Sequence, residues 1–380
     1  MGSGARIPRD PDADHAWPRV GIRDVAAAAG VSVASASVAI NGRAGVSEQP
    51  RQRVLQAAHR LGYRANPQAQ ALRRGRTSTY GLVIRNFTNP FFIDVISGAE
   101  EVAAEAGATL LVVDSHYSLE REQRHVEAMA NRQCAGLAIS PVGPGEALAR
   151  WQSLRPGLPA VALNAAAAGS PGVTRVCPDN RDAVRLPMQR LAELGHVRVG
   201  FLSAPRPLMA DPDRLQQFRR QARSLGIRGQ VLYSPLTIDA VRSTVAKALA
   251  RAGGPTAVIT NSDYTAHGVY LAARSLAVPV GSGLSVVGHD DLPTSELLDP
   301  PLTTLRLDRR AMGRALMRRL LDPSVTDDHV EPVTLVERAS MARAPAYDRS
   351  GESIRQVSTV RSTVGCQGLS QGVTTEATTR

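Results

Sequence analysis

From residue 80 onward, short unbroken apolar runs alternate with longer stretches whose apolar residues recur every three or four positions. The runs at 80–85, 109–113, 136–139, 160–163, 199–202, 231–233, 257–260 and 284–287 predict strands. They are apolar throughout rather than at every second position, which suits parallel strands buried on both faces. Helical spacing fills the intervals, for example at 91–106, 119–132, 181–194 and 240–252. Repeated βα units imply doubly wound parallel sheets, and about ten strands divide better into two sheets than one. The second half is expected to begin after Asp179-Asn180. A late helix over 309–321 should return to the first half, and residues 333–336 to the second.

Upstream the pattern is different. Residues 21–42 read GIRDVAAAAGVSVASASVAING. An alanine-rich helix over 22–29 meets a turn at Gly30-Val31, and a second helix follows over 33–41. This is helix-turn-helix spacing: glycine permits the tight turn, and the second helix can enter a major groove. Ser32 is placed to cap that second helix. A third helix is predicted over 51–61, with Ser47 as its cap, Pro50 in the first turn and Gly62 as its stop. Val54, Leu55, Ala58 and Leu61 should pack on Val25 and on Val38 or Ile40. Asn66-Pro67 then opens a short helix over 68–73, ended by Gly75.

Charge sharpens this division. The chain has 380 residues and a formal net charge of +11. Residues 19–76 hold ten arginines against Asp24 and Glu48, a balance of +8, which leaves +3 for the rest. The basicity belongs to one segment, as an electrostatic footprint for phosphates requires. Only Lys247 represents lysine, so a general arginine bias explains the residue type. It does not explain why acids nearly vanish from that segment. Cys134, Cys177 and Cys366 lie far apart without metal-ligand spacing, which fits a reducing cytoplasm. No apolar secretory core is visible in the first residues, and no run of about 18 apolar residues predicts a membrane span. Residues 1–18 read as a flexible arm. Residues 344–380, rich in Ser, Thr, Gly and Arg, read as a disordered tail without leucine heptads.

Several separated blocks now carry a resemblance. IRDVAAAAGVS, VSEQPRQRVLQAAHRLGYRANPQAQALRRGRTSTYGLVIRNFTNPFF, DNRDAVRLPMQRLAELGHVRVGFLSA, DRLQQF, SVVGHDD and PPLTTLRLDRRAMGRALMRRLL occur in that order. Together they resemble the LacI/GalR family of transcription regulators over about residues 20–340. The resemblance implies an α/β chain: an N-terminal all-α helix-turn-helix headpiece plus two doubly wound, periplasmic-binding-protein-like subdomains. The headpiece would span 19–64 and the hinge helix or linker 65–78. A bilobed effector-binding and dimerisation domain would span 79–343. Its first lobe would take about 79–178 and 306–328, its second about 180–304 and 329–343.

The resemblance also implies roles. Ser35, Ser37 and Asn41 match phosphate-contacting positions, with Ser32 as cap beside them, and Val33, Ala34 and Val38 match base-reading positions. Apolar side chains there can touch a thymine methyl but cannot grip guanine in bidentate fashion. Specificity is therefore expected to lean on phosphate placement and DNA deformation. Leu72 matches a hinge leucine that wedges into the minor groove, with Ala69 and Arg73 beside it. Asp179, Arg214, Asp263 and Asp290 match effector-contacting positions, and Phe91 and Phe92 lie where relatives line the ligand site with aromatics. One of those two phenylalanines is expected to pack inside. Asp179 and Asp290 could also serve only as local caps. His289, beside Asp290, reads as wall of the ligand site rather than as a base. Ser262 departs from the asparagine usual there, and Leu236, near Tyr233, stands where an aromatic wall is common.

The partners implied are double-stranded operator DNA, a sugar-like small-molecule effector bound in the interlobe cleft, and a second copy of the chain. No membrane contact, cofactor or metal is expected. The cellular setting is the cytoplasm, on the nucleoid. Two other classes fit the sequence less well. An enzyme lacks support: there is no HExxH, GxSxG, P-loop or GxGxxG constellation. A periplasmic-type binding protein would share the fold but not the basic headpiece.

Overall fold

The structure, a computed structural model, describes residues 20–42, 44–63, 77–165, 172–209 and 212–346. The headpiece contains α1 (Ile22–Ala29), α2 (Val33–Ile40) and α3 (Glu48–Arg60). Helices α1 and α2 meet at 102°. Two local signals set that corner. Gly30 takes a left-handed φ of +64°. The Ser35 amide then donates to Ser32 Oγ at 3.1 Å and opens α2. The α3 helix closes with paired bonds from the Gly62 amide to the His59 carbonyl and the Tyr63 amide to the Ala58 carbonyl. These satisfy carbonyls the helix end would otherwise leave exposed.

The core of this module is built from small residues: Val25, Ala26, Ala29, Ala36, Ala39, Val54 and Ala57. Alanine faces let three short helices approach closely. Two expectations are corrected here. The α3 helix starts at Glu48 rather than residue 51, and Ser47 sits at its N-cap without a side-chain cap bond. Leu55 is 48% exposed, while Ala57 takes the buried position. Helical spacing allowed either stripe beside Val54, and the helix turns the one that holds Ala57 toward the core.

The chain divides into two compact units, the first of which takes in the headpiece. Unit 1 holds a parallel six-stranded sheet in the order β11-β5-β4-β3-β1-β2. Its strands are β1 (Thr79–Ile84), β2 (Thr109–Asp114), β3 (Leu137–Ile139), β4 (Ala160–Leu163), β5 (Val173–Pro178) and β11 (His329–Glu331). Its helices are α4 (Phe91–Glu105), α5 (Leu119–Asn131), α6 (Glu146–Leu154) and, much later in sequence, α11 (Arg309–Leu321). Trp151, Leu137 and Ile139 are among the side chains closed off completely in its core. Helices α4 and α11 cross at two glycines. A methyl on Gly98 would collide with the Arg310 carbonyl, and one on Gly313 with the Val95 carbonyl.

Unit 2 holds a parallel four-stranded sheet, β7-β6-β8-β9, and an antiparallel pair, β10-β12. Its strands are β6 (Arg198–Ser203), β7 (Arg228–Tyr233), β8 (Ala257–Ile259), β9 (Ser285–Val287), β10 (Thr304–Arg306) and β12 (Thr334–Val336). Its helices are α7 (Asp182–Glu193), α8 (Asp213–Ser224), α9 (Ile238–Leu249) and α10 (Asp263–Ser275). The sheet core packs Leu202, Val258 and Val286 against Val241, Val245, Val269 and Ala273.

Chain connectivity departs from the sequence reading at two places. A short return beginning at Arg206 belongs to unit 1. Strand β11 pairs with β5 of unit 1, so residues 329–332 do not join the second half. Strands β5, β10 and β11 carried no prediction. In both sheets the first strand of the βα series lies between the second and third. Such an order reverses direction once and leaves a crevice at the strand carboxyl ends, where ligands gather.

Candidate functional site

The exposed entry to α2 is the first candidate. Ser32, Val33 and Ala34 are exposed at the helix N-terminus, with Val33 at 42%. Ser35, Ser37 and Val38 are half-buried. Ser32 and Ser35 hydroxyls lie 2.9 Å apart. The Asn41 side-chain amide donates to the Ser37 carbonyl at 2.6 Å, folding back over the end of α2. The face thus presents a positive helix end, two hydroxyls and two small apolar side chains. Helix N-termini favour anions through their unpaired amides and the macrodipole. Ala69, Leu72 and Arg73 lie outside the described residues.

The second candidate is the carboxyl edge of the sheets. Buried polar residues collect there: Asn86, Asp114, Ser115, Ser140 and Asn164 on unit 1, and Ser203, Asp263, His289 and Asp290 on unit 2. Backbone strain collects there as well. His116, Tyr117, Asn164, Asp290 and Asp291 all have positive φ, Asp290 at +121°. Such conformations cost about 1–3 kcal/mol each and cluster at functional sites.

On unit 1, Asp114 is committed to the chain: its carboxylate accepts from the Phe87 amide at 2.9 Å and the His116 amide at 2.7 Å. Asn89 Oδ1 accepts from the Phe91 amide at the start of α4. Phe91 and Phe92 pack edge to face, centroids 5.2 Å apart. Both are only 3% exposed, so the expectation that just one packs inside is corrected. Adjacent helical side chains diverge, but at this first turn both directions lead into packed structure. Asp179 is half-buried, and its amide donates to the Glu331 carbonyl at 2.8 Å.

On unit 2 the site is built around Arg214, in the first turn of α8. Its Nε donates to Asn180 Oδ1 at 2.9 Å and its Nη1 to the Asn261 carbonyl at 3.2 Å. Those two bonds fix the guanidinium beside the carboxyl end of β8. His289 Nδ1 lies 2.9 Å from Asp290 Oδ1, and both residues are buried. Burial, reinforced by the Arg214 charge, holds the His289 imidazole well below its usual pKa, so the ring is neutral.

Asp263 is a correction. It was expected to contact a ligand, yet its side chain is fully buried. Its Oδ2 accepts from the Leu292 amide at 2.9 Å and Ser295 Oγ at 2.6 Å, and its Oδ1 from Thr304 Oγ1 at 2.6 Å. The carboxylate anchors the segment that carries His289 and Asp290. Burial, with the nearby Asp290 charge, raises its pKa to about 6. Gly288 passes so close that any Cβ there would strike Asp263 Oδ1.

Ser262 caps α10 by accepting from the Thr265 amide at 3.2 Å. Leu236 is buried, and Tyr233, 41% exposed, accepts from Arg219 at 3.3 Å. Asn180 and Asn261 were missed as anchors of Arg214. Their signal was position alone: each is an amide just beyond a strand end.

Comparison with known proteins fits this geometry. Residues 21–66 match the bacterial regulatory protein, lacI family, model, and residues 188–341 match the periplasmic binding protein-like domain. The chain is 30% identical over 332 residues to the HTH-type transcriptional regulator GalS of Salmonella typhimurium, covering 84% of this chain and 96% of that one. A crystal structure of the lac repressor dimer bound to operator and the anti-inducer ONPF superposes with a TM-score of 0.73. It is 25% identical and covers 85% of this chain and 99% of that one. The transcriptional regulator CelR–cellobiose complex gives a TM-score of 0.62 at 26% identity, over 85% of this chain and 100% of that one. These relatives are transcription regulators, not enzymes. Among the described residues no single helix is long and apolar enough to cross a membrane. A basic helix-turn-helix module followed by two doubly wound α/β units places this chain in the LacI family of DNA-binding transcription regulators.

Proposed function

We propose that this chain acts as a homodimeric repressor whose operator affinity is set by a small, sugar-like effector. The observation that carries the DNA half is the exposed entry of α2, set at 102° to α1 within a segment of charge +8. Ser35, Ser37 and Asn41 contact phosphates, with Ser32 as the helix cap beside them, while Val33, Ala34 and Val38 meet base edges. Two headpieces related by two-fold symmetry read a near-palindromic operator. Leu72, with Ala69 and Arg73 beside it, supplies the minor-groove wedge. The protein works in the cytoplasm, on the nucleoid.

The effector half rests on the anchored Arg214 and the strained, buried Asp290 at the carboxyl edge of unit 2. Asp179, Phe91 and Phe92 are the matching residues at strand and helix ends of unit 1. Asp263 supports the site from beneath and takes no ligand contact. An arginine fork with carboxylate acceptors suits hydroxyl-rich molecules.

A bound sugar should change operator affinity by about 5–150-fold, the usual size of an allosteric coupling. Fluorescence anisotropy of a labelled operator, recovered by selection from a randomised duplex library, measures this with and without a sugar that raises the protein's melting temperature. A sugar that binds and leaves operator affinity untouched would remove the regulatory half of the proposal.

A further inference from the structure

The buried atoms of unit 2 include one that its own fold does not satisfy. His289 is 2% exposed, and its Nε2 has no hydrogen-bond partner among the described residues. The other ring nitrogen is committed. Nδ1 faces Asp290 Oδ1 at 2.9 Å, and a carboxylate oxygen can only accept, so Nδ1 carries the proton. In a neutral imidazole this leaves Nε2 as a bare acceptor. A buried acceptor without a donor is a defect unless something arrives to fill it.

The surroundings say what can fill it. Arg214 is close enough to act on the ring charge, but it makes no hydrogen bond to Nε2; its Nε and Nη1 are turned to Asn180 and Asn261. The Asp263 carboxylate nearby is engaged by Leu292, Ser295 and Thr304. Asp290 is held at a φ of +121°, which few residues other than glycine adopt, and it holds the imidazole in one orientation. The ring is therefore aimed by a strained neighbour and left one donor short.

We propose that His289 is a specificity-determining residue of the effector site, its Nε2 accepting a hydrogen bond from a hydroxyl or amine N–H of the ligand. This rests on the effector reading given above and adds a demand to it: the ligand must donate at that point. A ligand that offers only an acceptor there, such as an ether or a carboxylate oxygen, is rejected because Nε2 stays unpaired. Sites built to hydrogen-bond one ligand group discriminate strongly against analogues that lack it.

The test uses the full chain, with cellobiose, ribose and galactose as probes in calorimetric titrations. For whichever sugar binds the wild type, His289→Phe, which keeps a ring without nitrogen, should weaken binding by about tenfold or more. His289→Gln, which retains an acceptor oxygen, should stay within about threefold of the wild type. Nitrogen NMR of histidine-labelled wild type gives a readout independent of any substitution. It should show the His289 proton on Nδ1, and an Nε2 resonance that moves when the sugar is added. Equal binding by wild type and His289→Phe, or a proton found on Nε2, overturns this inference alone. If none of the three sugars binds the wild type, the sugar-effector reading falls and this inference with it.

Discussion

Raising salt from 50 to 200 mM should weaken operator binding by about 10³-fold or more. The reason is the distribution of charge. Ten arginines and two acids occupy residues 19–76, while the remainder of the chain is close to neutral for its length. Each phosphate neutralised by an arginine releases condensed counterions, so log affinity falls linearly with log salt. About six phosphate contacts give a slope near −5. The apolar Val33, Ala34 and Val38 at the base-reading face leave that slope unchanged, but with no bidentate base contacts they leave the phosphate contacts a larger share of the affinity. Anisotropy titrations of a selected operator across a potassium chloride series measure the slope. A slope shallower than about −2 would mean that the arginines do not grip the duplex.

Replacing Asp263 by alanine should destabilise the protein by about 3 kcal/mol, because three buried donors lose their acceptor. Its carboxylate serves three donors from residues 29, 32 and 41 positions away. Without it, the Leu292 amide and the Ser295 and Thr304 hydroxyls remain buried and lose their acceptor. The loss should also reach the ligand site, because the carboxylate holds the Leu292 amide and the Ser295 hydroxyl of the segment that carries His289 and Asp290. Urea unfolding of wild type and Asp263→Ala at neutral pH compares the two. A loss below about 1 kcal/mol would show that the cluster contributes little net stability and that Asp263 is free for another role.

Much of the headpiece was legible because its signals are local. Gly30 needs a left-handed backbone, and Ser32 needs only an amide three residues on. The continuous apolar runs likewise announced most of the strands, because burial on both faces leaves no polar position. What escaped is short or long-range. Strands β10 and β11 have three residues each, too few to show a period. Strand β11 finds its partner β5 about 150 residues earlier, which no local pattern records. The crossing at Gly98 and Gly313 was equally silent, since each glycine only reads as small.

The candidate site divides in the same way. That polar residues would gather beyond the strand ends followed from the parallel-sheet reading. Whether each faces a ligand or the chain did not follow. Asp263 and Asp290 look alike in sequence, both acids just past a strand. In the fold, one is saturated by distant donors, while the other is strained and paired with His289. Leu55 and Ala57 differ for a comparable reason: both fit a helical stripe beside Val54, and only the packed fold selects the one that faces the core.

The account depends most directly on where DNA recognition resides. The measurement is operator affinity of the full chain against the chain beginning at residue 77, at low salt and with the same selected duplex. The full chain should bind the operator at least about 10³-fold more tightly than random duplex, and the shortened chain should show no preference while still responding thermally to sugar. Operator binding that survives loss of residues 1–76 would contradict the account.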